Sequence, residues 1–267
     1  MPIYAITGAS KGIGLEFARQ LASNPSNNVL AIVRNPESPS IATLASKHPN
    51  IHAIKGDVTD PQSILAAAQS AAAITDGKLD VLIHNSNAAD AATVGYTPSQ
   101  FPLDAEATRA AFEPSLLTAV YGGLWTTNAF LPLIEKGAEK KIVHISTGMA
   151  DINLIKNGGV PIAVAYSVAK AGMNVQVAKY AAELAPKGIK VLALSPGWVD
   201  TSGGEKSEAE AQGDAYLLSR FQTVKPDLKG QIEPEESVRK SLKVIEELDA
   251  EKSGTFVSHN GNTEDWF

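Results

Sequence analysis

Short runs of apolar residues alternate along the chain with longer stretches in which apolar residues recur every three or four positions. The runs cover residues 3–6, 28–33, 51–54, 79–83, 141–145, 190–194 and 255–257, and polar residues or glycine punctuate each of them. Near-continuous apolar runs of this length predict strands covered on both faces. The longer stretches predict helices opening at 15–21, then over 63–74, a short helix ending at Phe112, and further helices over 114–137, 164–185 and 234–248. Pro114 reads as the first residue of its helix, and Pro61 as that of the helix capped by Thr59 or Asp60. Strand and helix in repeated alternation predict an α/β fold with a doubly wound parallel sheet of about seven strands, binding ligands at the strands' carboxyl ends.

The pattern lapses only over residues 202–231. Leu217, Leu218 and Phe221 give this polar insertion one apolar side, and Gly203-Gly204 offers a hinge. The segment reads either as a small lid over a substrate or as a surface helical excursion without gating. A length of 267 residues with 44% hydrophobic content is enough for one undivided domain, 1–267.

Charge and cysteine content narrow the function. A net charge of -6 with no basic cluster argues against a nucleic-acid surface. The absence of cysteine excludes disulfides and thiolate metal sites, and the five histidines, His48, His52, His84, His144 and His259, show no metal-ligand spacing. The first apolar run begins at Ile3, leaving no room for a signal peptide, and no run reaches membrane-spanning length. The expectation is a cytoplasmic protein with a small-molecule substrate and without metal, nucleic-acid or membrane partners.

The candidate chemistry starts where the first strand meets the first helix, at Thr7-Gly8-Ala9-Ser10-Lys11-Gly12-Ile13-Gly14. Glycines there allow a tight turn, close approach of a ligand to the backbone, and close packing of the helix on the sheet. The helix N-terminus then offers free N–H groups and a positive dipole end to a pyrophosphate. The second run ends at Arg34 and Asn35 with no acid to take ribose hydroxyls. Arg34 together with Lys11 favours a 2′-phosphate, hence NADP(H) over NAD(H).

The Gly-x-x-x-Gly-x-Gly spacing resembles that of the short-chain dehydrogenase/reductase family, and the resemblance extends over nearly the whole chain. It includes Asp57-Val58, His84-Asn85-Ser86-Asn87 in place of the family's Asn-Asn-Ala-Gly turn, Ser146, Tyr166-Ser167-Val168-Ala169-Lys170, and Ser195-Pro196-Gly197-Trp198-Val199-Asp200-Thr201. A Rossmann-like sheet is implied. So is a cofactor site built from Gly8, Ser10, Lys11, Gly12, Ile13, Gly14, Arg34, Asp57, Val58, Asn85, Tyr166, Lys170, Pro196, Gly197, Val199 and Thr201. Asn87 stands where the family has glycine, and Asn tolerates left-handed geometry better than other non-glycine residues.

A spacing of four puts Tyr166 and Lys170 on one helix face, where an ammonium can stabilise a phenolate. The resemblance implies that Tyr166 protonates a carbonyl oxygen, Lys170 lowers the tyrosine pKa and holds the nicotinamide ribose, and Ser146 hydrogen-bonds the carbonyl. One departure stands out. The family's Asn-Val-x-Gly, whose Asn organises a proton-relaying water, is Ala119-Val120-Tyr121-Gly122 here, and Ser115, one turn earlier on the same face, is the candidate replacement.

The expected function is an NADPH-dependent carbonyl reductase, reversible with a secondary alcohol. Ile152, Leu154, Ile155, Trp198 and the residues of the insertion predict a mostly apolar substrate. The alternative is an NADP(H)-binding scaffold or sensor, or a non-redox enzyme on the same fold. A homodimer or homotetramer through the helices at 114–137 and 164–185 is implied by the resemblance.

Overall fold

Each of the seven apolar runs forms a strand in a computed structural model that describes residues 1–267. The strands are β1 (Ile3–Thr7), β2 (Asn28–Val33), β3 (Ile51–Lys55), β4 (Val81–His84), β5 (Lys141–Ile145), β6 (Lys190–Ser195) and β7 (Phe256–Ser258). They lie parallel in one sheet, in the order β3-β2-β1-β4-β5-β6-β7. The winding reverses between β1 and β4. A crevice opens there at the carboxyl edge of the sheet, the place where open α/β sheets bind ligands.

Nine helices flank the sheet: α1 (Gly12–Ala22), α2 (Pro39–Lys47), α3 (Pro61–Ile74), α4 (Ala105–Ser115), α5 (Gly122–Ile134), α6 (Ile152–Gly158), α7 (Val164–Leu184), α8 (Glu208–Phe221) and α9 (Pro234–Glu246). Alternate strand residues serve opposite faces, so two cores form. Leu30, Leu82, Ile142 and Val191 meet Ile64, Phe130 and Val177 of α3, α5 and α7. On the other face, Val29, Ile83, Val143 and Leu192 meet Phe17, Leu44 and Ile245 of α1, α2 and α9. Phe130 is fully buried, and its truncation to Ala would cost about 3–5 kcal/mol.

Several local expectations change. Pro114 does not start a helix: it lies in the last turn of α4, which continues through a π-helical turn, Leu116–Tyr121, directly into α5. Asp60, rather than Thr59, caps α3, accepting a hydrogen bond from the Gln62 N–H at 2.9 Å. Asn87 does not adopt left-handed geometry, since the non-glycine residues with positive φ are Asp76, Lys140 and Ala163. Helices α2 and α6 are additions; α2 buries only Ile41 and Leu44, too few apolar positions to reveal a period.

The insertion forms α8, and its apolar side is docked rather than free. Phe221 packs edge-on against Trp198, with ring centroids 5.2 Å apart, and lies 4.7 Å from the Phe267 ring. Leu154, Trp266 and Leu228 complete this small third core. At its start the segment is clamped by Lys206, which pairs with Asp200 at 2.9 Å and Asp214 at 2.7 Å and also donates to Gln231.

Candidate active site

The turn from β1 into α1 is built by residues that leave no room for alternatives. Gly8 and Gly12 have φ of 68° and 52°, a region that disfavours side chains. A Cβ on Gly14 would stand 2.3 Å from the Gly8 carbonyl oxygen and 2.5 Å from the Asn85 amide nitrogen. Thr7, fully buried, uses its hydroxyl completely. It accepts from the backbone N–H of Asn85 at 3.0 Å and of Ser86 at 3.2 Å and lies 3.4 Å from His84 Nδ1. Asn85 returns the connection, its amide donating to the carbonyls of Thr7 and Gly8 at 3.2 and 3.3 Å. Its placement therefore joins the β4 loop to the glycine turn.

No side chain caps the N-terminus of α1, and its first turn holds no acidic residue. The orphan N–H groups and the dipole end are left for an anion, which fits the pyrophosphate of a dinucleotide. Lys11 and Arg34 are both exposed and take part in no ion pair. Thr201 reaches the same helix end, 3.4 Å from where a Cβ on Gly12 would stand. Asp57 turns one carboxylate oxygen inward, accepting from the Thr59 N–H at 3.0 Å and hydroxyl at 2.7 Å. Val58 is buried, its carbonyl close against Gly122. Across the crevice, Gly197 has φ of 93°, and Ser237 holds the Pro196 carbonyl at 2.6 Å. Val199 bridges Ile232.

Tyr166 and Lys170 lie in the first two turns of α7, which Ala163 enters in left-handed geometry at φ 59°. Such a conformation costs an alanine about 1–3 kcal/mol and is concentrated at functional sites. Lys170 is 2% exposed, and its ammonium donates to the Ile145 carbonyl at 2.6 Å. Burial lowers its pKa to about 7. Burial also raises the Tyr166 phenol above its ordinary value, with the neighbouring Thr147 side chain pulling it partway back. The lowering of the tyrosine by Lys170 that the resemblance implies is not the net effect here.

The two hydroxyls at the end of β5 are placed differently from expectation. Ser146 keeps the strand parity of Ile142 and His144, points toward α7, and is 2% exposed. Its hydroxyl proton goes to Asn174 Oδ1 at 2.7 Å. Thr147 is the side chain whose hydroxyl tempers the rise of the Tyr166 phenol. Its hydroxyl accepts from the Met149 N–H at 3.2 Å, which leaves its own proton free to donate. Thr147 went unrecognised in the sequence because the strand's end, and with it the parity of the two residues, is uncertain by a position or two.

Ala119 lies in the π-helical turn, fully buried against Ala169 and Met173 of α7. Ser115 does not face Lys170 in its place: its hydroxyl donates to the Ala88 carbonyl at 3.0 Å and ties down the loop after β4. The carbonyls of the π turn are taken by other side chains, Thr118 by His84 Nε2 at 3.1 Å and Val120 by the Gln176 amide at 3.1 Å. Because a carbonyl can only accept, His84 carries its proton on Nε2, and Nδ1 accepts from Thr7. Burial, with Lys170 nearby, lowers the His84 pKa to about 3. Register-paired His144, its ring 5.3 Å away, is pushed well down by the same burial.

Of the residues expected to make an apolar substrate wall, Trp198 is half-buried beside the crevice, Leu154 is consumed by the third core, and Ile152 points to solvent at 79% exposure. Met149 and Ile162, not anticipated from the sequence, are partly buried on that core beside Trp198.

Comparison with known proteins agrees with this fold. The family model described as short chain dehydrogenase matches residues 2–212. A short-chain dehydrogenase/reductase of Arthrinium sp, atnB, is 40% identical over 262 residues, 98% of each chain. Another of Aspergillus aculeatus, AacuF, is 41% identical over 264 residues, again 98% of each. Among solved structures, an NADPH-bound carbonyl reductase from chicken fatty liver superposes with a TM-score of 0.79 at 29% identity, covering 100% of both chains.

Proposed function

The chain belongs to the short-chain dehydrogenase/reductase family, and from that premise we propose that it is an NADPH-dependent carbonyl reductase acting on a mostly apolar ketone or aldehyde, reversible with the corresponding alcohol. The reading rests on Tyr166 and Lys170 one turn apart in α7, with Thr147 tempering the phenol and Lys170 anchored on the Ile145 carbonyl, and on the uncapped N-terminus of α1. The α1 N-terminus, with Lys11 and Arg34 toward a 2′-phosphate, would hold NADPH, which would supply the hydride. Thr147 orients the carbonyl with its free hydroxyl proton. Tyr166 gives up its phenolic proton to the carbonyl oxygen, and the raised pKa keeps that proton in place at neutral pH until charge develops on the substrate. Lys170, anchored on Ile145, stands one turn away to stabilise the phenolate.

Residues 202–231 serve as a lid in this reading, with α8 over the substrate side of the crevice and Trp198 beneath it. A homodimer or homotetramer through α5 and α7 is supported by Tyr121, Leu124, Val168 and Val175, large apolar side chains left exposed on or beside those helices. No helix is long and apolar enough to cross a membrane.

The test is NADPH oxidation against a panel of ketones and aldehydes. Tyr166→Phe is expected to lower turnover by about 10² to 10⁴ while leaving NADPH affinity nearly unchanged. A protein that binds NADPH but oxidises it with no carbonyl substrate, or a Tyr166→Phe variant with wild-type turnover, would refute the assignment.

A further inference from the structure

A groove between α9 and the edge strand β7 holds a cavity of about 360 Å³. Arg239, Lys240, Lys243 and Lys252 line it together with a single carboxylate, Glu247. Lys243 and Lys252 share that carboxylate, at 4.0 and 3.6 Å. Lys240 is paired outside the lining, with Glu236 at 3.1 Å. Arg239 has no ion-pair partner, so the groove carries uncompensated positive charge.

His259, only 1% exposed, stands among the lining residues, and its two nitrogens have no hydrogen-bond partner. Buried polar groups are nearly always paired, and an imidazole with both nitrogens idle calls for a partner that the chain itself does not supply. The ring edge that carries Cε1 and Nδ1 abuts Gly197, where a Cβ would stand 2.9 and 3.2 Å from them, so Nε2 is the nitrogen left to meet a ligand. Leu192, Val244 and Val257 give the cavity an apolar floor.

We propose that this groove binds the phosphate group of a small molecule, with the Arg239 guanidinium and the lysine ammoniums neutralising it and His259 Nε2 turning to donate to it. The guanidinium fork matches two phosphate oxygens at once, and a doubly charged group suits a lining with four cations and one carboxylate. A bound anion also gives His259 a reason to take a second proton. Burial now holds its pKa at about 4, with the Lys240 and Lys225 charges lowering it and those of Asp265 and Glu236 raising it. The site is separate from the dinucleotide crevice and lies directly behind the Gly197 loop.

Isothermal titration of the intact protein with inorganic phosphate, at ionic strength held constant with sodium chloride, should give one saturable site in this groove. Affinity should fall at least tenfold in Arg239→Ala and in Lys243→Ala, two exposed positions whose truncation leaves the core untouched, and should persist in Arg34→Ala. By NMR, the His259 ring signals should move along the same saturation curve. A parallel titration with glycerol 3-phosphate separates the sources. Tighter binding of the ester supports the site and assigns it to an organic phosphate resting on the apolar floor, and equal binding supports it as a site for the ion. Binding that disappears in Arg34→Ala but survives in Arg239→Ala places the anion at the dinucleotide edge and overturns the proposal. So does a His259 signal that phosphate leaves unmoved.

Discussion

Ser146 and Thr147 are chemically near-equivalent hydroxyls on adjacent residues, yet one spends its proton on Asn174 and the other keeps it for a ligand. The expected consequence is a split between two variants. Thr147→Ala should lower the turnover of carbonyl reduction by about 10² to 10³, the usual loss on removing one preorganised donor to a developing oxyanion. Ser146→Ala should retain most turnover and lose about 0.5–1.5 kcal/mol of stability with its hydrogen bond. Steady-state kinetics and urea unfolding of both variants check this, and equal kinetic damage would return Ser146 to the mechanism. Arg34 belongs to the same scale. Exposed and free of carboxylates at the end of β2, it is expected to give NADPH at least a tenfold affinity advantage over NADH, about 1.5–3 kcal/mol for a charged hydrogen bond. Arg34→Asp should abolish or invert that advantage in a fluorescence titration of both cofactors.

The element in which sequence and structure part most is the rod formed by α4, the π-helical turn and α5. A proline followed by a helical period suggested a helix start, but Pro114 is absorbed within the last turn of α4, where Thr118 takes its carbonyl at 2.8 Å. π turns are rare and frequent at functional sites, and this one carries Ala119 into contact with α7 beside the turn that holds Lys170. An asparagine at 119, which by resemblance would restore a relay, would have to enter a fully buried position packed against Ala169 and Met173. Ala119→Asn is therefore expected to destabilise the fold by about 1–3 kcal/mol through overpacking against Ala169 and Met173, without raising turnover. Denaturant unfolding and kinetics decide it, and a stable variant with faster reduction would show that the π turn can yield space.

For the whole molecule, three buried histidines tie stability to pH. His84, His144 and His259 are all held neutral by burial, the first with a pKa of about 3 and the last about 4. The unfolded chain binds protons at these rings from near pH 6.5 downward while the folded chain refuses them, so stability falls as pH falls through that window. Each ring contributes at most about 1.4 kcal/mol per pH unit there. Urea midpoints measured between pH 7 and pH 4 should decline steeply, and less steeply in His84→Asn. A flat profile would mean that the rings are solvated. At this scale the fold was legible in the residues. Apolar run length, the period of the helical stretches and the glycine spacing are local properties, and they specify seven parallel strands, the helices between them and the crevice where β1 meets α1. The proposed triad was legible only in part. Tyr166 and Lys170 share a helix, so their relation is written in a spacing of four, whereas the choice between Ser146 and Thr147 depends on which way β5 faces α7. The docking of α8 on Phe267, the burial of Ala119 and the exposure of Arg239 beside a partnerless His259 arise from contacts between segments far apart along the chain. No local pattern encodes those contacts, because they are settled by how the helices pack on the sheet.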